Sequence, residues 1–233
     1  MRSIIIIGSG GYAQELAWII DDINARTPTW DLLGYIDPKF PERKGRTLYD
    51  RPILGGYEAK TSLPGAVCFA CGIGTPSVRR AETRAAEALG WQPASLIHPT
   101  VLLAKHVEIG AGTVIGAGSA VAPYARLGRH CALNLQVTIG HDSIIGDFSV
   151  FSPGARVSGR SELGEAVYLG NNASVYNGRK MGADSTLGAN SFLLTDLAAG
   201  KSAIGIPARA FAVSTGAGTC SAQESKIDPT ARP

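Results

Sequence analysis

From Ile97 onward the chain places an apolar residue at every sixth position: Leu103, Ile109, Ile115, Val121, Leu127, Leu133, Ile139, Ile145, Phe151, Val157, Leu163, Leu169, Val175, Met181, Leu187 and Leu193. The next residue is usually glycine, as at Gly110, Gly128, Gly140 and Gly170, and the fourth after the apolar one is mostly small or β-branched, as at Thr113, Ser119, Ala125, Cys131 and Val137. An α-helix turns every 3.6 residues and cannot use a period of six, so the pattern marks an internal repeat. A six-residue unit has one large and one small inward side chain and a glycine where the backbone bends. It predicts a triangular prism of short parallel strands, three units to a coil, running from Ile97 to about Leu194.

The residues before the repeat read differently. Arg2 to Gly8 is a near-continuous apolar run of the kind a buried parallel strand needs, and Gly8-Ser-Gly-Gly-Tyr-Ala13 leads from it into an amphipathic helix with Leu16, Ile19, Ile20 and Ile23 on one face. A second strand, Leu32 to Ile36, ends at Asp37, where an acid meets a ribose or a base edge in dinucleotide folds. A third, Ala66 to Cys71, runs into Gly72-Ile-Gly-Thr75; Thr75 is an N-cap and Pro76 a first helical residue for a helix through about Leu89. Gly8, Gly10 and Ala13 satisfy the dinucleotide fingerprint, yet residues 1–96 have length for only one mononucleotide-binding half. One nucleotide diphosphate at the glycine-rich turn is therefore expected, ahead of a purely structural turn or an intact dinucleotide.

Composition narrows the picture. At 45% hydrophobic and 18% charged, the 233 residues suit two modest globular domains with no apolar run long enough for a membrane span. A net charge of +3, with no basic run, argues against nucleic acid as a partner. Cys68 and Cys71 form a C-x-x-C inside an apolar run with no second pair, which favours a buried strand over a metal or redox site; His106, His130 and His141 lie in different columns of the prism, so no metal is expected.

Function is sought where the repeat breaks. Asn134 stands where glycine is the rule, and the corner after Gly140 carries His141-Asp142, whereas His106 and His130 read as solvated corner residues. Steps of eighteen give the column Lys105, Pro123, His141, Gly159, Asn177, with coils ~4.8 Å apart, so the backbone N–H of Gly159 lies within reach of a carbonyl under attack near His141. A histidine base, an adjacent acid and a free backbone donor form an acyl-transfer constellation. Asn134 and His141 sit on neighbouring corners and meet only across a cleft between prisms, which points to a homotrimer with interfacial sites.

Several segments together resemble the bacterial nucleotide-sugar N-acetyltransferases of the sialic-acid O-acetyltransferase-like family, within the hexapeptide-repeat superfamily. They are Gly8-Ser-Gly-Gly11, Leu33-Gly-Tyr-Ile-Asp37, Ile73-Gly74 with Arg79, Leu96-Ile-His-Pro99, Asn134, His141-Asp142-x-x-Ile145-Gly-Asp147 and Gly205-Ile-Pro-Ala-Arg209. The resemblance implies a Rossmann-like domain over 1–96 and a left-handed parallel β-helix over 97–210; residues 211–233, rich in Ser, Thr, Ala and Gly, have no counterpart in it and read as a flexible or draped tail. It implies acetyl-CoA as co-substrate without a metal and a nucleotide-linked amino-sugar as acceptor; the cytoplasm is the default compartment for a sequence with no apolar run long enough for a membrane span or a signal-peptide core. The implied catalytic residues are His141, Asp142 and Asn134. Acetyl-CoA is implied to lie along Gly159, Leu187, Ala189, Lys201 and Arg209, and the nucleotide against Gly8, Gly10, Gly11, Tyr12, Asp37, Gly74 and Arg79. The chain departs from the family at Gly11-Tyr12-Ala13, Asp37-Pro38, Thr75-Pro76, Val150 and Ala189. These departures keep an alternative open, O-acetylation of a sugar, glycan or natural-product hydroxyl, ahead of a non-catalytic nucleotide-sensing trimer.

Overall fold

The computed structural model describes residues 1–63 and 65–211. The expected tail falls almost wholly outside them.

The chain begins with β1 (Arg2–Ile7), α1 (Gly11–Arg26) and β2 (Trp30–Ile36), a strand–turn–helix–strand unit whose two strands pair in parallel. Then come β3 (Thr47–Leu48), β4 (Arg51–Gly55), β5 (Cys68–Cys71), α2 (Pro76–Ala88) and β6 (Gln92–Pro93). The sheet order is β3-β4-β2-β1-β5-β6, parallel except for the β3–β4 hairpin. All four isoleucines of β1 are fully buried, which is why the run shows no alternation.

From Leu96 the chain winds as two-residue strands in three parallel sheets, each strand paired with the one eighteen residues on, as Val114 with Ala132 and Ile139 with Val157. The sixfold apolar positions fill the interior from Ile115 to Leu193. At the open end Leu103 is 42% exposed, because no earlier coil covers it. At the far end Thr186 pairs with Ser202, a coil two residues short, and Ser202–Gly205 turns back on Ala208–Phe211 as an antiparallel hairpin. Several of the small inward positions hold hydroxyls, and these bridge neighbouring coils: Thr113 Oγ1 donates to Gly128 O at 2.8 Å and accepts from Cys131 N at 3.1 Å, and Ser119 bonds Asn134 O and Val137 N in the same way.

The glycines that directly follow the apolar position do not bend the chain, contrary to the sequence expectation. The left-handed backbone falls two residues later, at His106, Tyr124, His130, Gln136, Asp142, Phe148, Arg160 and Ala166, with φ between 53° and 62°. The glycines are needed for coil stacking instead. A Cβ on Gly146 would stand 2.6 Å from Glu165 N, and on Gly170 2.6 Å from Ala189 N.

Each face of the prism has its own exterior. On the first face, Leu96, Val114, Ala132 and Val150 are buried, the first two in one core with Ala13, Leu16, Ala17 and Ile20 of α1, so this face carries the N-terminal sheet and helices. The third face is charged and pairs along its columns, Glu108 with Arg126 at 3.5 Å and Glu162 with Lys180 at 2.8 Å. The second is an open, mostly apolar hollow of about 560 Å³ lined by Leu102, Ala120, Val121, Ala122, Thr138 and Gly140, with Leu102 72% exposed.

Candidate active site

The glycine-rich turn divides into glycines the fold needs and glycines it does not. Gly8 has φ +97°, and a Cβ there would stand 3.0 Å from the Ile73 side chain; one on Gly72 would strike Ala13 at 2.7 Å. At Gly10, Gly11 and Gly74 a Cβ would meet nothing within 4 Å. These three open onto a cavity of about 420 Å³ that also touches Tyr12, Asp37, Phe40 and Arg43. α1 starts there with Gly10 as a cap that offers no side-chain acceptor, so its first N–H groups face the cavity and favour an anion.

Asp37 lies at the C-terminal end of β2 as expected, but its carboxylate is largely engaged by the turn. Oδ2 accepts from Ser9 N at 2.9 Å and from Ser9 Oγ at 2.5 Å, and Oδ1 accepts from Lys39 N at 3.2 Å. Arg79 is a correction. Expected beside a nucleotide, it has no exposed surface: Nε donates to His130 O at 2.5 Å, Nη1 to Cys71 O at 2.8 Å and Ile73 O at 3.0 Å, and Nη2 to Cys131 O at 3.4 Å. It joins the end of β5 to a β-helix corner. His130 is a correction of the same kind. It is buried in a stack between Phe69 and Phe148, with Nε2 3.2 Å from a Glu87 carboxylate oxygen, and burial holds its pKa below the ordinary histidine value.

Asn134 lines a smaller cavity of about 120 Å³ in the seam between the two halves, with Tyr12, Gly74, Val150, Ser152 and Tyr168. Its Oδ1 accepts from Leu135 N at 2.7 Å. Glu15 nearby has a carboxyl oxygen buried without a hydrogen-bond partner, and burial raises its pKa. Tyr12 and Gly74 border both cavities, so the large one leads to Asn134. Sequence reading missed Ser9, Arg43, Phe40 and Glu15, although Ser9 and Glu15 lie in and one turn beyond the fingerprint.

His141 projects from a different corner and is half exposed. Asp142 holds its Nδ1 through Oδ2 at 2.7 Å, and Nε2 has no hydrogen-bond partner among the described residues. A Cβ on Gly159 would stand 2.6 Å from that Nε2 and 2.8 Å from Cε1, so the ring lies against the backbone of the next coil, as the column of eighteen requires. Among the described residues the Gly159 N–H donates to no protein acceptor, while its carbonyl accepts from Gly178 N at 3.0 Å.

The residues expected along acetyl-CoA are scattered. Ala189, Lys201 and Arg209 are exposed toward the far end of the prism. Leu187 is a correction: its side chain is fully buried in the interior, the inward place the sixfold repeat assigns it, and cannot line a surface path.

Residues 3–85 match the PglD N-terminal domain family. Over 119 residues the chain is 34% identical to UDP-N-acetylbacillosamine N-acetyltransferase of Bacillus subtilis (strain 168), a stretch of 49% of this chain and 51% of that protein, so the match spans about half of the curated relative. Two solved structures are similar over most of the chain. The acetyltransferase domain of PglB from Neisseria gonorrhoeae FA1090, in complex with acetyl coenzyme A, has a TM-score of 0.81 at 26% identity, covering 90% of this chain and 99% of that one. PerB from Caulobacter crescentus, in complex with CoA and GDP-perosamine, also has a TM-score of 0.81 at 26% identity, covering 91% and 98%. Repeat, N-terminal match and these likenesses agree on the fold: a PglD-type Rossmann-like domain set on a left-handed parallel β-helix.

Proposed function

We propose that this protein transfers an acetyl group from acetyl-CoA to the amino group of a nucleotide-linked 4-amino-sugar by direct attack. The observation that carries the reading is the His141 corner, where an oriented imidazole lies against the unpaired amide of Gly159. In this mechanism the amine nitrogen attacks the thioester carbonyl while His141 Nε2 takes its proton. The Gly159 N–H meets the developing oxyanion, the carbon–sulfur bond breaks, and the imidazolium returns the proton to the thiolate. Among the described residues no serine or cysteine is hydrogen-bonded to His141 to form an acyl-enzyme. The complexes of PglB with acetyl coenzyme A and of PerB with CoA and GDP-perosamine support the two ligand classes. The compartment in this proposal is the cytoplasm, where acetyl-CoA is available. The decisive assay offers UDP-, dTDP- and GDP-linked amino-sugars and free hydroxylated sugars with acetyl-CoA and follows thiol release. Turnover of the amines supports the proposal, and turnover of hydroxyl acceptors alone replaces it with O-acetylation.

The working unit in this proposal is a homotrimer. The hollow second face borders the His141 corner, and Asn134 opens beside the nucleotide cavity, so a neighbouring copy seated there completes a site from two chains. Hybrids of Asn134→Ala and His141→Ala protomers are expected to regain activity that neither variant has alone. A fully active monomer by light scattering contradicts the arrangement.

Gly159→Ala tests the close approach. Its Cβ must displace the imidazole, and since a misplacement of about 1 Å can cost on the order of 100-fold, kcat/KM is expected to fall at least about tenfold with the fold intact. Unchanged kinetics would separate Gly159 from the chemistry.

A further inference from the structure

We infer that Arg43 and Phe40, on the turn after β2, hold the nucleoside diphosphate of the acceptor, Arg43 through its phosphates and Phe40 by stacking on its base. The inference rests on the proposed nucleotide-linked acceptor and assigns its recognition to residues outside the glycine-rich fingerprint. Arg43 closes a one-turn 3-10 helix, Pro41–Arg43, and reaches back over the turn. Its guanidinium carbon stands 4.0 Å from the centroid of the Phe40 ring, and Nη1 donates to Ser9 O at 3.3 Å and Ser9 Oγ at 3.1 Å. The cation is thus fixed beside Gly10 and Gly11, where no side chain occupies the space and α1 presents its first amides.

The remaining donors of Arg43, Nε and Nη2, have no acceptor among the described residues, and no carboxylate there lies within ion-pair distance of it. A guanidinium held by only one of its arms keeps a planar fork for a phosphate. The carboxylates bordering the same cavity are already engaged: Asp37 bonds Ser9, and Glu82 Oε2 accepts from the Tyr57 hydroxyl at 2.6 Å. Lys39, the other cation there, is exposed. Phe40 is a large apolar ring left 42% exposed at the rim, and its aromatic face suits a nucleobase. Asp37 acts through Ser9, setting the turn that Arg43 grips, rather than by reading the base alone.

The test is titration calorimetry of UDP, dTDP and GDP on the full chain, in wild type and in Arg43→Ala, Arg43→Lys, Phe40→Ala and Phe40→Tyr. Losing a charge-assisted contact to phosphate is expected to weaken the bound diphosphate about 10- to 100-fold in Arg43→Ala and to flatten its salt dependence, with partial recovery in Arg43→Lys. Phe40→Ala is expected to weaken the same ligand and Phe40→Tyr to restore it, while acetyl-CoA binding is unchanged in all four. If the wild type binds a diphosphate and Arg43→Ala binds it equally well, the assignment of Arg43 falls and the proposed function stands; equal binding by Phe40→Ala removes the stacking role. If no diphosphate binds the wild type, the nucleotide-linked acceptor falls and this inference with it.

Discussion

His141→Ala is expected to lower kcat by about 100- to 10,000-fold, the usual span for losing a positioned general base, while leaving the unfolding temperature within a degree or two of wild type. The imidazole is half exposed and supports no core, so its removal leaves no cavity; its bond is to Asp142, itself half exposed. His141→Asn keeps a polar side chain without a base and is expected to be as slow as alanine. Asp142→Asn is expected to be less severe, because it removes the acceptor that fixes the tautomer without removing Nε2. Near-normal kcat in purified, folded His141→Ala would remove the histidine from the proton transfer and leave the Gly159 amide as the surviving element. A large fall in unfolding temperature instead would mean that the corner is structural.

The β-helix was legible because its rule is purely local. A coil repeats on itself, so the inward positions recur at a fixed spacing and a single sequence displays them. The same rule placed His141 one coil from Gly159, and their contact follows from strand register with no need of tertiary detail. The function of the glycines was not legible from the spacing. Bending and stacking both recur every six residues, and only the backbone angles show that the left-handed position lies two residues on and accepts histidine, tyrosine and aspartate. The cavity residues Arg43 and Phe40 escaped because they belong to an aperiodic turn; the available signal was a cation and an aromatic ring just past the acid that ends β2.

The junction between the two halves was the least legible part, and Arg79 shows why. On α2 it reads as a surface cation near a glycine-rich turn, and nothing in the local pattern says that a β-helix corner some fifty residues later will cover it. In the fold it is the fully buried residue that ties the end of β5 to residues 130 and 131. Arg79→Ala is therefore expected to destabilise the protein by about 3–5 kcal/mol. The change leaves the carbonyls of His130 and Ile73 without another donor among the described hydrogen bonds, at about 1–3 kcal/mol each, and opens a cavity of side-chain size; Cys131 O keeps its bond from Val114 N. Arg79→Met restores most of the volume but none of the bonds, so it is expected to recover only the cavity part. Because the bonds cross the junction, the loss is expected to appear in calorimetry as earlier unfolding of the N-terminal half, ahead of the β-helix. Nucleotide affinity of the folded variant at low temperature should stay close to wild type. A variant as stable as wild type that has lost nucleotide binding would restore the sequence expectation for Arg79 and overturn the structural role.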